Sequence, residues 1–154
     1  MTIKTLGPLR CAAIALALSA SLAHAENIRV ESRLSVAEAT EKLEGAIMHA
    51  GATVMAAVDH QQGAQSVGQS IRPTKVVIFG SPKIGAEAFN IGQTIGLYLP
   101  LRVLAYEDAE GKVWLMYKDP ADAATEHGIS TDHPSIKAMQ NVLKKPTGIA
   151  SGNS

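Results

Sequence analysis

Apolar positions recur along the chain with two periods, and the switches between them mark out its elements. From Asn27 to Ser32 apolar and polar residues alternate, Ile28 and Val30 against Arg29 and Glu31, which is the period of a half-buried strand. Ser35 then stands three residues before Glu38, the reciprocal capping signature of a helix start. Val36, Ala39, Leu43, Ile47 and Ala50 follow at helical spacing up to Gly51. The polar side of that helix carries Glu38, Lys42 and His49. Thr53 to Val58 is again β-capable and ends at Asp59-His60, whereas Gln61 to Ser70, rich in Gln, Gly and Ser, reads as a loop or a weak helix.

The most apolar strand is Val76-Val77-Ile78-Phe79, between Pro73 and Gly80, and its composition predicts an interior place in a sheet. Gly80 to Gly85 is a turn, and the segment up to Leu99 offers one or two short helical pieces interrupted by Gly92 and Gly96. Leu101 to Glu107 and Val113 to Lys118 flank Asp108-Ala109-Glu110-Gly111, so the pair reads as a hairpin. Ala121 to His127 predicts a short helix after Asp119-Pro120. Ile136, Met139 and Leu143 predict another after Pro134. The tail from Pro146 to Ser154 is small and polar and is expected to be disordered. The hairpin excludes an all-parallel sheet, and the helices do not alternate strictly with strands. An α+β fold of two layers, helices packed on an antiparallel sheet, follows.

Residues 1–25 change this picture. Lys4 and Arg10 precede an apolar run from Cys11 to Leu22, and Ala23-His24-Ala25 supplies small residues around a cut site, the three parts of an export signal. The run is short of the ~20 residues that span a bilayer, and no later stretch comes close, so no membrane span is expected. Cys11 opens the apolar run, well ahead of the cut site, where it cannot become a lipid-bearing first residue of the mature chain. Removing 25 of 154 residues leaves 129, enough for a single domain over residues 26–145, and takes away the one cysteine. The expected address is the periplasm or the exterior, with cleavage near Ala25-Glu26.

Lys4 and Arg10 leave with the signal, so twelve basic residues remain against fourteen acidic ones, a formal charge of −2. No basic surplus remains to displace counterions from phosphates, and nucleic acid is excluded as a natural partner. No cofactor signature occurs, nor does a Gly-x-Ser-x-Gly nucleophile elbow.

The runs Pro73 to Gly85, Leu99-Pro100-Leu101-Arg102-Val103-Leu104-Ala105-Tyr106-Glu107-Asp108 and Gly111-Lys112-Val113-Trp114 resemble the domain-of-unknown-function 302 family. The resemblance is closest over Asp59 to Tyr117. It implies a compact α+β domain of TATA-box-binding-protein-like architecture, usually a homodimer, with no assigned activity. The chain departs from the family's common pattern at Ser81, Ala86 and Tyr98, where Asn, Thr and an acidic residue are usual. The resemblance therefore implies that part of any shared polar site is altered here.

Three constellations carry candidate chemistry. At Gly80-Ser81-Pro82-Lys83-Ile84-Gly85 a strand ends, Ser81 can cap a helix and Pro82 can occupy its first position. Free N–H groups there, with Lys83 and Arg102, suit an anion. The simpler reading is a tight turn. His60 beside Asp59 has the residue types of an oriented base, against the plainer reading of a strand-end histidine bonded to backbone. Glu126-His127 and Asp132-His133 offer two carboxylates and two imidazoles, and His127 with His133 is the lesser, metal-binding alternative to no metal at all. Phe79, Tyr106, Trp114, Met116 and Tyr117 suit core or dimer contacts.

The reading these observations favour is an exported, non-enzymatic domain that binds a small ligand or a protein partner, with Gly80, Ser81, Lys83, Gly85, Arg102 and His60 as its candidate ligand residues. The first alternative is a metal-dependent or acid/base enzyme using His60, Lys83 and the Glu126 to His133 cluster. The second is a purely structural dimer.

Overall fold

The computed structural model describes residues 27–153. The export signal, its cleavage site and Cys11 lie outside the described residues. Five strands form a single sheet: β1 (Ile28–Ser32), β2 (Thr53–Asp59), β3 (Thr74–Gly80), β4 (Leu101–Glu107) and β5 (Val113–Tyr117). They stand in the order β1-β5-β4-β3-β2, every neighbouring pair antiparallel. Consecutive strands from β2 to β5 are neighbours, whereas β1 and β2 occupy opposite edges. The intervening helix α1 (Val36–His49) therefore carries the chain across the whole sheet.

That helix forms as its sequence dictates. The Ser35 hydroxyl accepts from the Glu38 N–H at 3.3 Å, and Glu38 Oε2 accepts from the Ser35 N–H at 3.0 Å. Val36, Ala39, Leu43 and Ile47 are buried along one stripe. The helix ends on Gly51, whose φ of +79° few other residues adopt without strain. There the Gly51 N–H donates to Met48 O and the Ala52 N–H to Ile47 O.

Alternation decides which side of each strand meets the helices. Val77 and Phe79 of β3, Leu101, Val103 and Ala105 of β4, and Val113, Leu115 and Tyr117 of β5 are buried against α1 and α5 (Pro134–Ala150). The other face bears Val76, Ile78, Leu104, Tyr106, Trp114 and Met116, all half-buried. The helices α3 (Pro82–Ile91) and α4 (Pro120–Glu126) pack against α5 beside the first layer. A 3-10 turn over Gln93–Leu97 connects α3 to β4. The fold is α+β, helices on an antiparallel sheet, as the pattern predicts. Among the described residues no helix is long and apolar enough to cross a membrane.

One segment takes the weak-helix alternative of its reading, and another differs from the expectation. Residues 60–66 form a helix, α2 (His60–Ser66), because the Asp59 carboxylate caps it, accepting from the Gln62 N–H at 2.9 Å; the segment buries no residue of its own. The tail is not disordered where it is described. Helix α5 runs through Pro146 to Ala150, and Pro146, Thr147, Ala150 and Ser151 are buried. A proline inside a helix removes one N–H, but the Thr147 hydroxyl donates to the carbonyls of Leu143 (2.8 Å) and Lys144 (3.1 Å), and core packing holds the turn. The chain end is then tied to the first strand: the Arg33 N–H donates to Ser151 O at 2.9 Å and Asn153 Nδ2 to Glu31 O at 2.7 Å.

Candidate functional site

Strand β3 passes into α3 at one end of the sheet. Phe79 is fully buried, Gly80 follows, and Ser81 takes the extended conformation of an N-cap before Pro82 opens the helix. The Ser81 carbonyl accepts from the Gly85 N–H at 2.9 Å, while its hydroxyl makes no capping bond. Beside this turn lies a cleft of about 350 Å³, between α3, α5 and the sheet. Leu101, Met139 and Val142 form its interior, Ile84 and Phe89 line its helix side, and Ser81 is the one side chain of the lining that carries a polar group.

Edge strand β2 completes this cleft. Val54 pairs with Phe79 and Ala56 with Ile78, so Met55 is an extra, unpaired residue, a β-bulge. The Met55 side chain lines the cleft, and its methyl lies 3.3 Å from where a Cβ at Gly80 would be. The bare Cα of Gly80 is what lets the thioether come so close. A lining of hydrocarbon and thioether with one hydroxyl suits an apolar guest and offers no group for proton transfer.

A second cleft, about 520 Å³, opens on the other face of the sheet. Its floor is a row of directly opposed side chains: Val76 pairs with Leu104, and Leu104 with Met116, across β3, β4 and β5. Two residues along from this row stand Arg102 on β4 and Lys118 just beyond β5, both lining the cleft. Tyr98 forms part of the wall, and its hydroxyl donates to Lys118 O at 2.7 Å. Burial first, and then the Asp119 carboxylate, push the Tyr98 phenol well above its ordinary range, with Arg102 acting the other way. It therefore remains a neutral donor. The His127 ring lies on the rim with Nδ1 3.0 Å from Thr94 Oγ1.

The profile of a family described as "Domain of unknown function DUF302" matches residues 28–146, most of the chain. The chain belongs to the DUF302 family. Among solved structures it is similar to an uncharacterized conserved DUF302 protein from Bacillus stearothermophilus, with a TM-score of 0.64 at 17% identity over 82% of this chain and 95% of that one. That likeness concerns the fold. Among curated proteins the chain is 42% identical over 136 residues to "Fluoride-specific ion channel FluC 1" of Brucella suis biovar 1, covering 87% of this chain and 53% of that protein. The FluC 1 protein of Brucella abortus biovar 1 is likewise 42% identical, over 50% of its length. The chain spans about half the length of these relatives.

Within this DUF302 domain the residues singled out from sequence fall into separate places. Gly80, Ser81 and Gly85 line the apolar cleft. Lys83 is exposed on the first turn of α3 and lines neither cleft. Arg102 follows Leu101, which lines the apolar cleft, and by strand alternation it projects from the opposite face into the second cleft. His60 is remote. Thr53 pairs with Gly80 and Asp59 with Lys75, so six strand residues, ~20 Å, separate it from the Gly80 turn. Strand β2 places Asp59 and His60 at a helix start rather than in a base–acid pair.

The histidines of the third constellation have local tasks. His133 caps α5, Nδ1 accepting from the Ser135 N–H at 3.3 Å and lying 2.8 Å from its hydroxyl; His127 faces Thr94. Asp132 forms an ion pair with Lys137 at 3.1 Å. Among the described residues no three His, Cys, Asp or Glu side chains gather as metal ligands do. Sequence reasoning missed Met55, Phe89, Met139 and Val142 as cleft residues. Their apolar character is visible, but their convergence depends on a bulge and on tertiary packing. The Val76, Leu104 and Met116 row was accessible in principle from strand alternation combined with register.

Proposed function

We propose that this DUF302 domain is exported and acts as a non-enzymatic binding domain, taking a small apolar molecule into the cleft between α3, α5 and the sheet. The observation that carries this reading is the cleft's lining: about 350 Å³ bounded by Met55, Ile84, Phe89, Leu101, Met139 and Val142, with a single hydroxyl. Such a size and composition suit a small-molecule site. The acid and base groups required by an enzymatic alternative, His60, Lys83 and His127, line no common cleft with it. Export is supported by the tripartite character of residues 1–25. A second copy of the chain is the partner we expect, and size-exclusion chromatography with light scattering at micromolar concentration tests it.

The channel in the name of the Brucella proteins belongs to proteins twice as long as the matched segment. For this chain we favour a binding role over conduction, because the matched segment is about half of those proteins and carries the apolar cleft.

The test uses the full chain expressed with its leader. The exported product is expected to begin at Glu26. With its methionine methyls labelled, titration with the neutral probe N-phenyl-naphthylamine is expected to shift Met55 and Met139. Ala86→Trp, which fills the cleft mouth from an exposed position, is expected to weaken probe binding about tenfold, a difference of ~1.4 kcal/mol. Unmoved Met55 and Met139 signals, or equal affinity in the variant, would overturn the ligand site.

A further inference from the structure

The second cleft pairs an apolar floor with two cations, Arg102 and Lys118. Val76, Leu104 and Met116 lie in one register row and are half-buried. Beyond the Leu104 and Met116 pair, where the β4–β5 register ends, Arg102 on β4 and Lys118 just past β5 both line this cleft. Two like charges lining one cleft repel, and a ligand of opposite sign between them relieves that repulsion. Among the described residues neither cation has a carboxylate within 4 Å, since the one ion pair at that distance is Lys137 with Asp132.

One Arg102 N–H group donates to Tyr98 O at 3.3 Å, which holds the guanidinium at the cleft. The remaining donors of its planar fork suit a carboxylate. The nearby acids do not fill that role. Asp119 is engaged by the Ala121 N–H (2.9 Å) and by Gln140 Nε2 (2.8 Å), and neither Asp122 nor the exposed rim residue Glu126 comes within 4 Å of either cation. Glu126 also sets a limit on the guest, because a second negative charge at that rim would meet it.

From this geometry we infer that the cleft on the open sheet face is a binding site for a free monocarboxylic acid with an apolar body, its carboxylate between Arg102 and Lys118 and its hydrocarbon along Val76, Leu104 and Met116. A volume of about 520 Å³ accommodates a medium-length chain or an aromatic acid. Leu97, 83% exposed at the end of the 3-10 turn, lines the same cleft and gains cover when the tail is bound.

The experiment is calorimetric titration of the mature full chain with hexanoate, octanoate, decanoate and decanol, alongside methyl spectra of the labelled methionines. Decanoate is expected to shift Met116, which lines this cleft, and to leave Met55 and Met139, which line the other, in place. Affinity is expected to rise about fourfold per added methylene. It should fall at least about tenfold for decanol in place of decanoate, and for Arg102→Gln. Lys118→Gln provides a second variant of an exposed side chain, with a smaller loss expected. Equal binding of decanol, unchanged affinity in both variants, or shifts at Met55 and Met139 alone would overturn the assignment. The last of these would still leave the apolar cleft as a ligand site, so the two proposals fail separately.

Discussion

Asp108 shows how one side chain can set the form of a hairpin. Its carboxylate accepts from the Glu110 N–H at 3.0 Å, the Lys112 N–H at 2.9 Å and the Trp114 indole N–H at 2.6 Å. Trp114 in turn supports the Arg29 guanidinium, 4.2 Å from its ring centre, a cation–π contact that joins β1 to β5 on the open face. The Trp114 bond foremost holds the Asp108 carboxyl below the ordinary carboxylate range. A lowered native pKa means stability that is present above the unfolded value, near ~3.9, and lost as pH falls through the native one. Asp108→Asn is therefore expected to lower the urea midpoint at pH 7, with the gap from wild type closing on acidification below about pH 4. Unfolding curves at a series of pH values check this, and a gap that widens in acid would contradict it. Composition marked Asp108 to Gly111 as a turn, but the bond to Trp114 depends on which way the indole turns. Alternation fixes the face and not the rotamer.

Whole elements were legible where local chemistry and tertiary packing agree. Helix α1 has its cap, stripe and stop all in sequence, and the structure contains each of them. Helix α5 was legible only in its first half, because Pro146 reads as a terminator when taken alone. What decides otherwise is burial: Pro146, Thr147, Ala150 and Ser151 all face the interior, and the Ser151 carbonyl receives the Arg33 N–H. Removing residues 146–154 is thus expected to destabilise the domain by ~3 kcal/mol or more, from the apolar groups it uncovers. Urea denaturation of the truncated chain measures the loss, and an unchanged midpoint would restore the view of the tail as an appendage. The candidate turn at Gly80 was legible as a strand-to-helix junction. Its apolar neighbours were not, because Met55 arrives from β2 and Met139 from α5, far away in sequence.

Across the molecule, cover is uneven, and stability should follow it. Strands β3, β4 and β5 each have neighbours on both sides and helices over one face, whereas β2 is an edge strand with six of its seven residues exposed and α2 buries none. Local opening is easiest where few apolar contacts are lost. Hydrogen exchange is therefore expected to be slowest in β4 and the first half of α5, and fastest in α2 and β2. Equal protection of β2 and β4 would argue that something covers the β2 edge in solution. The two-layer α+β architecture followed from alternation and helical spacing together. The sheet order did not, since a helix that crosses from one edge to the other leaves no mark in the period of the strands it joins.

The displaced residue at Met55 has a further effect on how separate molecules meet. A sheet with two free margins invites end-on growth, each molecule extending the next through unpaired amides and carbonyls. Here one margin is short and carries Arg29 and Glu31, while the other is kinked where Met55 falls out of step, so a flat docking partner finds no continuous ladder. The same distortion that lines a cavity thus guards against fibrillar self-association, and straightening it by deleting Met55 would sacrifice colloidal behaviour along with the cavity wall.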